Sequence, residues 1–262
     1  MELGLSGRVI AITGGSSGIG FSTAKMLLAE GAVVAICGRD AAKLESARDE
    51  LNASSERLLV AQGDVTDARS MEAFSVAIER SYGVLDGVVL NAGRSRFNSF
   101  ETTTDEMWLE ELELKFFGLI RPLREFLPLL GQSSIASVVV TNSLLAKQPE
   151  PHLVATSAAR GGQLNLCKSL ANEFAPQGIR VNSVLLGTVE SAQWQRRYAQ
   201  LSSPKPSYDQ WLLAEAERRH IPLQRFGKPQ EIAAAILFLL SPLSGYITGS
   251  SIECSGGVGR QP

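Results

Sequence analysis

Short apolar segments alternate with longer helical patterns along the whole sequence, and this alternation limits the possible folds more than any other feature. Several apolar segments, such as residues 88–90 and 138–140, carry hydrophobic side chains at consecutive positions, which is typical of strands covered on both faces. The order predicts one α/β domain over residues 1–262, with a parallel, doubly wound sheet. The predicted strands are residues 8–13, 32–37, 58–62, 85–90, 136–141, 180–186 and 250–254, and the predicted helices are residues 18–30, 41–51, 68–82, 105–127, 156–174 and 231–240.

The composition fits a folded domain and argues against several other classes of protein. Of the 262 residues, 44% are hydrophobic and 20% are charged, and the formal net charge is −2, which is unlike a disordered chain. The chain has no long basic run, so we expect no nucleic-acid partner. The longest purely apolar run, residues 232–240, is too short to cross a membrane, and no signal-peptide pattern precedes the first strand. The widely spaced Cys37, Cys167 and Cys254 indicate no metal site, so we expect a reduced, cytoplasmic protein.

A glycine-rich turn joins the first predicted strand to the first predicted helix. It reads Thr-Gly-Gly-Ser-Ser-Gly-Ile-Gly over residues 13–20. Glycines allow a tight turn and a close approach of the backbone to a ligand, and a helix N-terminus offers free N–H groups to a phosphate. Because the turn lies at the first strand–helix junction of an alternating chain, it predicts a site for a dinucleotide pyrophosphate.

Several motifs together resemble those of the short-chain dehydrogenase/reductase family over nearly the whole chain. They are the glycine-rich turn, Asp-Val at 64–65, Asn-Ala-Gly at 91–93, Gly-Ile-Arg-Val-Asn-Ser-Val at 178–184 and Tyr-Ile-Thr-Gly at 246–249. The resemblance implies a Rossmann-type sheet of seven mainly parallel strands in the order 3-2-1-4-5-6-7, with helices on both faces. It also implies an oxidoreductase that transfers a hydride between a nicotinamide cofactor and a small-molecule carbonyl or alcohol.

The same resemblance implies a set of cofactor-binding residues: Gly14, Ser16, Ser17, Gly18, Ile19, Gly20, Asp64, Val65, Asn91, Ala92, Gly93, Arg160, Gly187 and Val189. The end of the second strand indicates which dinucleotide is bound, because an acid there suits the ribose hydroxyls of NAD and an arginine suits the 2′-phosphate of NADP. Here Gly38 stands where the acid is expected and Arg39 follows it, while Asp40 is placed to cap the next helix. We therefore expect NADP rather than NAD.

The catalytic positions depart from the family pattern. In the family, a serine orients the carbonyl, a tyrosine acts as acid and base beside a lysine four residues later, and an asparagine holds a water that relays protons. The serine is present as Ser143. Thr156 stands at the tyrosine position, Arg160 at the lysine position and Lys115 at the asparagine position. Thr156 and Arg160 are four residues apart and therefore share one helix face.

These replacements change the proton chemistry. The hydroxyl of Thr156 is a far weaker acid than a phenol, and an arginine does not lose its proton near neutrality. Another group must then supply the proton. The candidates are Lys115, whose pKa would fall on burial, and His152 in the loop after the Ser143 strand, with Tyr198 and Tyr208 as further candidates.

The polar stretch at about 189–219 is long for a loop. We expect a substrate lid there or, alternatively, a pair of surface helices with no part in binding. Cationic residues within 194–197 and 218–220 suggest a carboxylate- or phosphate-bearing substrate, although a solvated surface would show the same pattern.

Three functions remain open from the sequence. The first is an NADP-dependent oxidoreductase acting on a carbonyl or alcohol with a rearranged proton donor. The second is a non-redox enzyme of the lyase, aldolase or isomerase type, and the third is a catalytically silent nucleotide-binding protein on the same scaffold. Helices 105–127 and 156–174 carry broad apolar faces, and the family pairs these helices across a two-fold axis, so we expect a homodimer or homotetramer.

Overall fold

The computed structural model describes residues 2–260 and confirms the predicted sheet. All seven strands are parallel, in the order β3-β2-β1-β4-β5-β6-β7. Two of them have the predicted bounds, and the others differ from the prediction by one or two residues. The strands are β1 (Val9–Thr13), β2 (Val33–Gly38), β3 (Leu58–Gln62), β4 (Gly87–Leu90), β5 (Ser137–Ser143), β6 (Arg180–Leu186) and β7 (Ser251–Cys254).

Helices cover both faces of the sheet. On one face α3, α5 and α6 pack around Phe74 and Phe126, and on the other α1, α2 and α9 pack around Leu27 and Ile236. The side chains of β1 and β4 are consequently buried at every position. No helix within residues 2–260 is both long and apolar enough to span a membrane. The helices are α1 (Gly18–Ala29), α2 (Ala41–Leu51), α3 (Ala68–Tyr82), α4 (Asp105–Leu112), α5 (Gly118–Leu130), α6 (Val154–Phe174), α7 (Ala192–Ala199), α8 (Tyr208–Arg218) and α9 (Pro229–Leu240).

The helix predicted over residues 105–127 is interrupted in the structure. It consists of α4, a five-residue π-helical segment (Glu113–Phe117) and α5. A single π turn has no hydrophobic period of its own, so the sequence pattern does not reveal it. The π segment packs against α6, and Lys115 within it is buried.

The stretch at 189–219 contains α7 and α8, which share a small apolar cluster of their own. The rings of Tyr198 and Tyr208 meet edge to face with centroids 5.1 Å apart, and the Tyr198 hydroxyl donates a hydrogen bond to the Pro206 carbonyl at 2.7 Å. Both tyrosines therefore stabilise this segment, and the structure does not support them as proton donors. The apolar cluster comprises Leu212, Ala216, Ile221 and Phe226, with Trp194, Tyr208 and Trp211 packed on it.

Arg180, at the start of β6, connects the sheet to the end of α9. Its guanidinium donates hydrogen bonds to the carbonyl oxygens of Leu239 (2.9 Å), Ser244 (3.1 Å) and Ser241 (3.2 Å). The last carbonyls of a helix have no N–H of their own helix to accept from, so a buried guanidinium there satisfies several acceptors at once.

We predict that Arg180→Met lowers the free energy of unfolding by about 2–4 kcal/mol, because buried carbonyls lose their donors. Urea denaturation followed by circular dichroism measures the change. Arg48→Met, at a half-exposed arginine of α2, is the control and leaves stability nearly unchanged. A similar loss in both variants would contradict the role given to Arg180.

Candidate active site

A cavity of about 840 Å³ opens at the carboxyl edge of the sheet. All the parallel strands end at this edge. The strands that follow β1 are added on one side of the sheet, and those that follow β4 are added on the other. Sheets of this kind bind ligands at the point between β1 and β4 where the strand order reverses. The residues predicted to bind the cofactor line this cavity, apart from Gly20. They are Gly14, Ser16, Ser17, Gly18, Ile19, Arg39, Asp64, Val65, Asn91, Ala92, Gly93, Arg160, Gly187 and Val189.

The glycine-rich turn leaves no room for side chains. Gly14 has a φ of 69°, and a Cβ there would lie 3.0 Å from the Cα of Ala92, while a Cβ on Gly20 would lie 2.3 Å from the carbonyl oxygen of Gly14. The Asn91 amide donates hydrogen bonds to the carbonyl oxygens of Thr13 (3.3 Å) and Gly14 (3.1 Å), so the turns after β1 and β4 are tied together. The turn leads into α1, whose N-terminus borders the cavity as a pyrophosphate site requires.

The end of β2 presents an exposed arginine to the cavity. The Arg39 side chain is 66% exposed, with a guanidinium nitrogen 3.9 Å from Asp64. Asp40 caps α2, as predicted, by accepting a hydrogen bond from a backbone N–H of that helix at 3.1 Å. A Cβ on Gly38 would lie 3.3 Å from the Ser16 hydroxyl oxygen, so a longer acidic side chain would crowd this corner. The corner suits a phosphate group with Arg39 beside it.

Two of the predicted catalytic residues line the cavity. Ser143 ends β5, and its hydroxyl oxygen accepts a hydrogen bond from the Leu145 N–H at 3.2 Å, which leaves its own O–H available. Arg160 donates to the Thr141 carbonyl (2.8 Å) and to the Gln163 amide oxygen (2.9 Å). Its Nε is buried without a hydrogen-bond partner among residues 2–260. Burial lowers the pKa of Arg160 to about 10, so it stays cationic at neutral pH and suits hydroxyl oxygens of a ligand.

Lys115 and Thr156 lie behind the cavity wall, in a buried polar cluster with Glu111. The Thr156 hydroxyl donates to a Glu111 carboxylate oxygen at 3.0 Å, and Lys115 Nζ lies 3.8 Å from the same oxygen. Their exposed fractions are 0% for Thr156, 1% for Lys115 and 2% for Glu111. Lys115 also donates to the Arg94 carbonyl. Burial lowers the pKa of Lys115 to about 7, with Arg160 and Arg94 acting in the same direction and Glu111 against it.

Gly93 separates this cluster from the cavity. It lines the cavity, and a Cβ there would lie 3.4 Å from Arg160 Nη2 and 3.7 Å from Lys115 Nζ. Because glycine has no side chain, the guanidinium and the ammonium lie directly against the backbone of the cavity wall. The site therefore has a cation of near-neutral pKa next to the place where a ligand would bind.

The structure does not bring His152 to the cavity. Its side chain is exposed, and its backbone carbonyl accepts a hydrogen bond from the Asn98 N–H at 3.0 Å. It is not among the residues that line the cavity. His152 is therefore a poor candidate for the proton donor, because an exposed side chain outside the cavity does not reach a carbonyl bound within it.

Comparisons with known proteins agree with this architecture. The family model described as enoyl-(acyl carrier protein) reductase matches residues 14–259. Acetoacetyl-CoA reductase of Synechocystis sp. is 32% identical over 98% of both chains. The chain belongs to the short-chain dehydrogenase/reductase family. The family resemblance inferred from the motifs is thus confirmed, and with it the assignment as an oxidoreductase enzyme.

Solved structures of other short-chain dehydrogenase/reductase proteins superimpose closely on this chain. A short-chain oxidoreductase from Pseudomonas aeruginosa PAO1, described as containing an atypical catalytic center, is 50% identical and covers 97% of this chain and 98% of its own. Its apo form has a TM-score of 0.95 and its NADPH-bound form 0.93. L-Sorbose reductase from Gluconobacter frateurii, in complex with NADPH and L-sorbose, is 26% identical over the full length of both chains, with a TM-score of 0.93.

Glu111 is a polar residue of the candidate site that the sequence analysis did not predict. It precedes Lys115 by four residues, so an acid and a base on one helix face were a signal available in the sequence. Its contact with Thr156 joins α4 to α6, and a contact between separate helices depends on tertiary packing rather than on local spacing.

The lowered pKa of Lys115 makes stability depend on pH in a defined direction. The folded protein favours the neutral amine, so the unfolded chain binds more protons between about pH 7 and the ordinary lysine pKa of 10.5. Below pH 7, burial of the charged Lys115 lowers the free energy of unfolding by its full amount. Above pH 10.5 the lysine is neutral in both states, and this destabilisation is absent. We predict that the stability of the wild type relative to Lys115→Met rises by about 2 kcal/mol between pH 7 and pH 9.

Urea denaturation of both proteins at several pH values measures this difference. Lys168→Met, at an exposed lysine of α6, is the control and gives a difference from the wild type that does not change with pH. A flat wild-type minus Lys115→Met difference would show that the folded protein keeps Lys115 charged throughout this range.

Proposed function

We propose that this protein is an NADPH-dependent reductase of carbonyl compounds in which Lys115 supplies the proton that a tyrosine supplies in the family pattern. The observation that carries the proposal is the buried cluster behind Gly93. It holds an ammonium of near-neutral pKa beside the cavity that Ser143 and Arg160 line. The same residues would catalyse the reverse reaction, oxidation of the alcohol, with Lys115 accepting the proton.

The cavity residues suit NADPH, which supplies the hydride when it is bound. The glycine-rich turn and the N-terminus of α1 would hold the pyrophosphate. Arg39 and the Ser16 hydroxyl would hold the 2′-phosphate, and Arg160 Nη2, which lies against Gly93 in the cavity wall, suits the ribose hydroxyls near the nicotinamide. The relatives from Pseudomonas aeruginosa and Gluconobacter frateurii have NADPH bound in their solved structures, which supports NADP over NAD.

Each residue has a distinct part in the proposed reaction. Ser143 donates its free O–H to the carbonyl oxygen and orients it. The charge of Arg160 stabilises the negative charge that develops on this oxygen as the hydride is added. Lys115 then transfers a proton to that oxygen, and a pKa of about 7 lets it be protonated again from water at neutral pH.

Glu111 and Thr156 act through Lys115. The Glu111 carboxylate opposes the effect of the neighbouring cations, so it keeps the pKa of Lys115 from falling below the working range. The Thr156 hydroxyl donates to this carboxylate and holds it in place. We therefore assign Thr156 and Glu111 as positioning residues, because Thr156 contacts Glu111 and Glu111 contacts Lys115, which lies against the cavity wall at Gly93.

Both alternatives left open by the sequence retain the nucleotide site without hydride transfer. Either alternative would be distinguished from the reductase by a protein that binds NADPH but does not consume it with any aldehyde or ketone of a broad panel. Burial of Lys115 costs folding stability, as its lowered pKa shows, and a silent nucleotide-binding protein gains nothing in return, so the buried lysine favours the reductase.

The assembly that we propose is a symmetric dimer or tetramer through α4, the π segment and α6. Leu109 is 65% exposed and Phe117 40% exposed on this side of the single chain, which leaves apolar surface for a second copy to cover. The unpaired cysteines support the proposed cytoplasmic location.

We predict that Arg39→Ala weakens NADPH binding by about tenfold to a hundredfold and leaves NADH binding unchanged. The variant loses a charged hydrogen bond to the 2′-phosphate worth about 1.5–3 kcal/mol. Fluorescence titration with each cofactor measures both affinities. Arg48→Ala, on the following helix and paired with Glu45, is the control. An equal loss for both cofactors, or no loss, would contradict the choice of NADP.

The assignment of Lys115 as the proton donor leads to a prediction about the pH dependence of the reaction. The kcat for carbonyl reduction falls as pH rises above about 7, because Lys115 must be protonated to donate. Lys115→Met abolishes this activity while NADPH affinity stays within about twofold. Glu111→Gln moves the fall in kcat to lower pH, because the variant lacks the carboxylate that raises the pKa of Lys115. Steady-state rates between about pH 5 and pH 9 measure all three effects.

Two further variants serve as controls for this experiment. His152→Gln keeps the wild-type kcat and pH profile, since the side chain lies outside the cavity. Thr156→Ala loses at most about a hundredfold in rate, since it removes one hydrogen-bond donor. An active Lys115→Met variant, or a loss beyond about a thousandfold in Thr156→Ala, would place the proton source elsewhere.

A further inference from the structure

Arg197 on α7 lines the cavity and is held against two aromatic rings. Its guanidinium carbon lies 4.5 Å from the ring centroid of Phe97 and 4.7 Å from that of Trp194. Its guanidinium forms neither an ion pair nor a hydrogen bond with any of residues 2–260. A free surface arginine samples many positions, whereas one packed on two rings holds its N–H edge in a defined place. This is a guanidinium with every donor unused.

Arg219, just after α8, adds a second cation on the same indole ring. Its guanidinium carbon lies 4.8 Å from the Trp194 ring centroid, and it also lines the cavity. Its Nε is 3.5 Å from a Glu215 carboxylate oxygen that also pairs with Arg218 at 2.6 Å. One carboxylate thus serves two arginines, which leaves positive charge at this end of the cavity.

Apart from Asp40 and Asp64, which lie beside Arg39, two carboxylates line the same cavity, and neither pairs with Arg197. Glu150 lies close enough to Arg219 to oppose the lowering of its pKa, which is caused first by burial. The charge of Glu190 contributes to the raised pKa values of Tyr208 and Arg225. Glu150 therefore offsets part of the Arg219 charge, whereas Arg197 has no acidic partner among the described residues of the cavity.

The contact between Arg197 and Phe97 places this charge at the substrate end of the cavity. Phe97 precedes Asn98, which forms a β-bridge with Leu153, and Leu153 lies at the N-terminus of α6. The same helix carries Arg160. Arg197 thus lies near the catalytic helix rather than near the end of β2, where the 2′-phosphate would bind.

We propose that Arg197, with Arg219 beside it, binds a carboxylate or phosphate group of the substrate while the carbonyl lies at Ser143. This inference rests on the proposed reductase function and names its substrate class, which is an aldehyde or ketone bearing an anionic group. A guanidinium pairs with either anion through two parallel hydrogen bonds. The rings of Phe97 and Trp194 keep water from its faces, which strengthens this pair. Residues 189–219 then act as the segment that determines specificity.

The test uses the full-length protein with NADPH and matched series of unbranched keto acids, their methyl esters and phosphorylated ketones. The wild type prefers the anionic compounds. Arg197→Gln raises KM for them by about tenfold to a hundredfold and leaves KM for the esters within about twofold. Arg197→Lys keeps part of the preference, since an ammonium retains the charge without the paired donors. The better of the two anionic series identifies the natural anion.

Arg196→Gln is the matched control, because Arg196 is the exposed neighbour of Arg197 on α7 and does not line the cavity. It leaves KM unchanged for every compound. Equal KM values for acids and esters in the wild type, or an equal loss for both in Arg197→Gln, would overturn the anion site.

A binding measurement separates this inference from the reductase function itself. Hydroxy acids and hydroxyalkyl phosphates are titrated calorimetrically into the protein saturated with NADP⁺, so no turnover is needed. Binding that is lost in Arg197→Gln and kept in Arg196→Gln supports the site even when no carbonyl is reduced. Absence of binding in the wild type overturns the site even when neutral carbonyls are reduced.

Discussion

Two cations and one carboxylate lie together at the cavity wall, where Lys115 and Glu111 are almost completely buried and Arg160 is partly buried. Moving a charge into a protein interior costs several kcal/mol unless a partner offsets it. Here Glu111 lies 3.8 Å from Lys115, and among residues 2–260 no acid forms an ion pair with Arg160. The excess positive charge is relieved when Lys115 loses its proton or when a negative charge develops in the cavity. The fold thereby carries a charge imbalance that the transition state of carbonyl reduction would offset.

The sheet and most helices were predictable because their signals are local. Continuous apolar strands and amphipathic helices follow from burial on both sheet faces, and β3, β6, α2 and α3 have the predicted bounds. The position of the cavity that we propose for the cofactor was predictable for a related reason. Its residues come directly after strands, and parallel strands all end at one edge.

The remainder of the candidate site depends on contacts between separate helices and strands, and the spacing of residues in the sequence does not predict such contacts. The π segment, the pairing of Glu111 with Thr156 and the packing of Arg197 on Phe97 each join residues that are distant in sequence or lack a period. For the same reason the sequence could not distinguish His152, which is exposed, from Lys115, which is buried. Both types of side chain can carry a proton near neutrality, and only burial and neighbours decide which one is placed to do so.

The two hydrogen bonds from the Asn91 amide to the glycine-rich turn have a further consequence. They make the wall that faces the cofactor an extension of β1 and β4, whereas the opposite wall belongs to α7 and α8, with an apolar cluster of its own. The two walls can therefore accept mutations independently. Changes in residues 192–219 alone can then alter which substrate is accepted while the proposed cofactor-binding residues stay constant, so chemistry and selectivity can evolve on separate stretches of one chain.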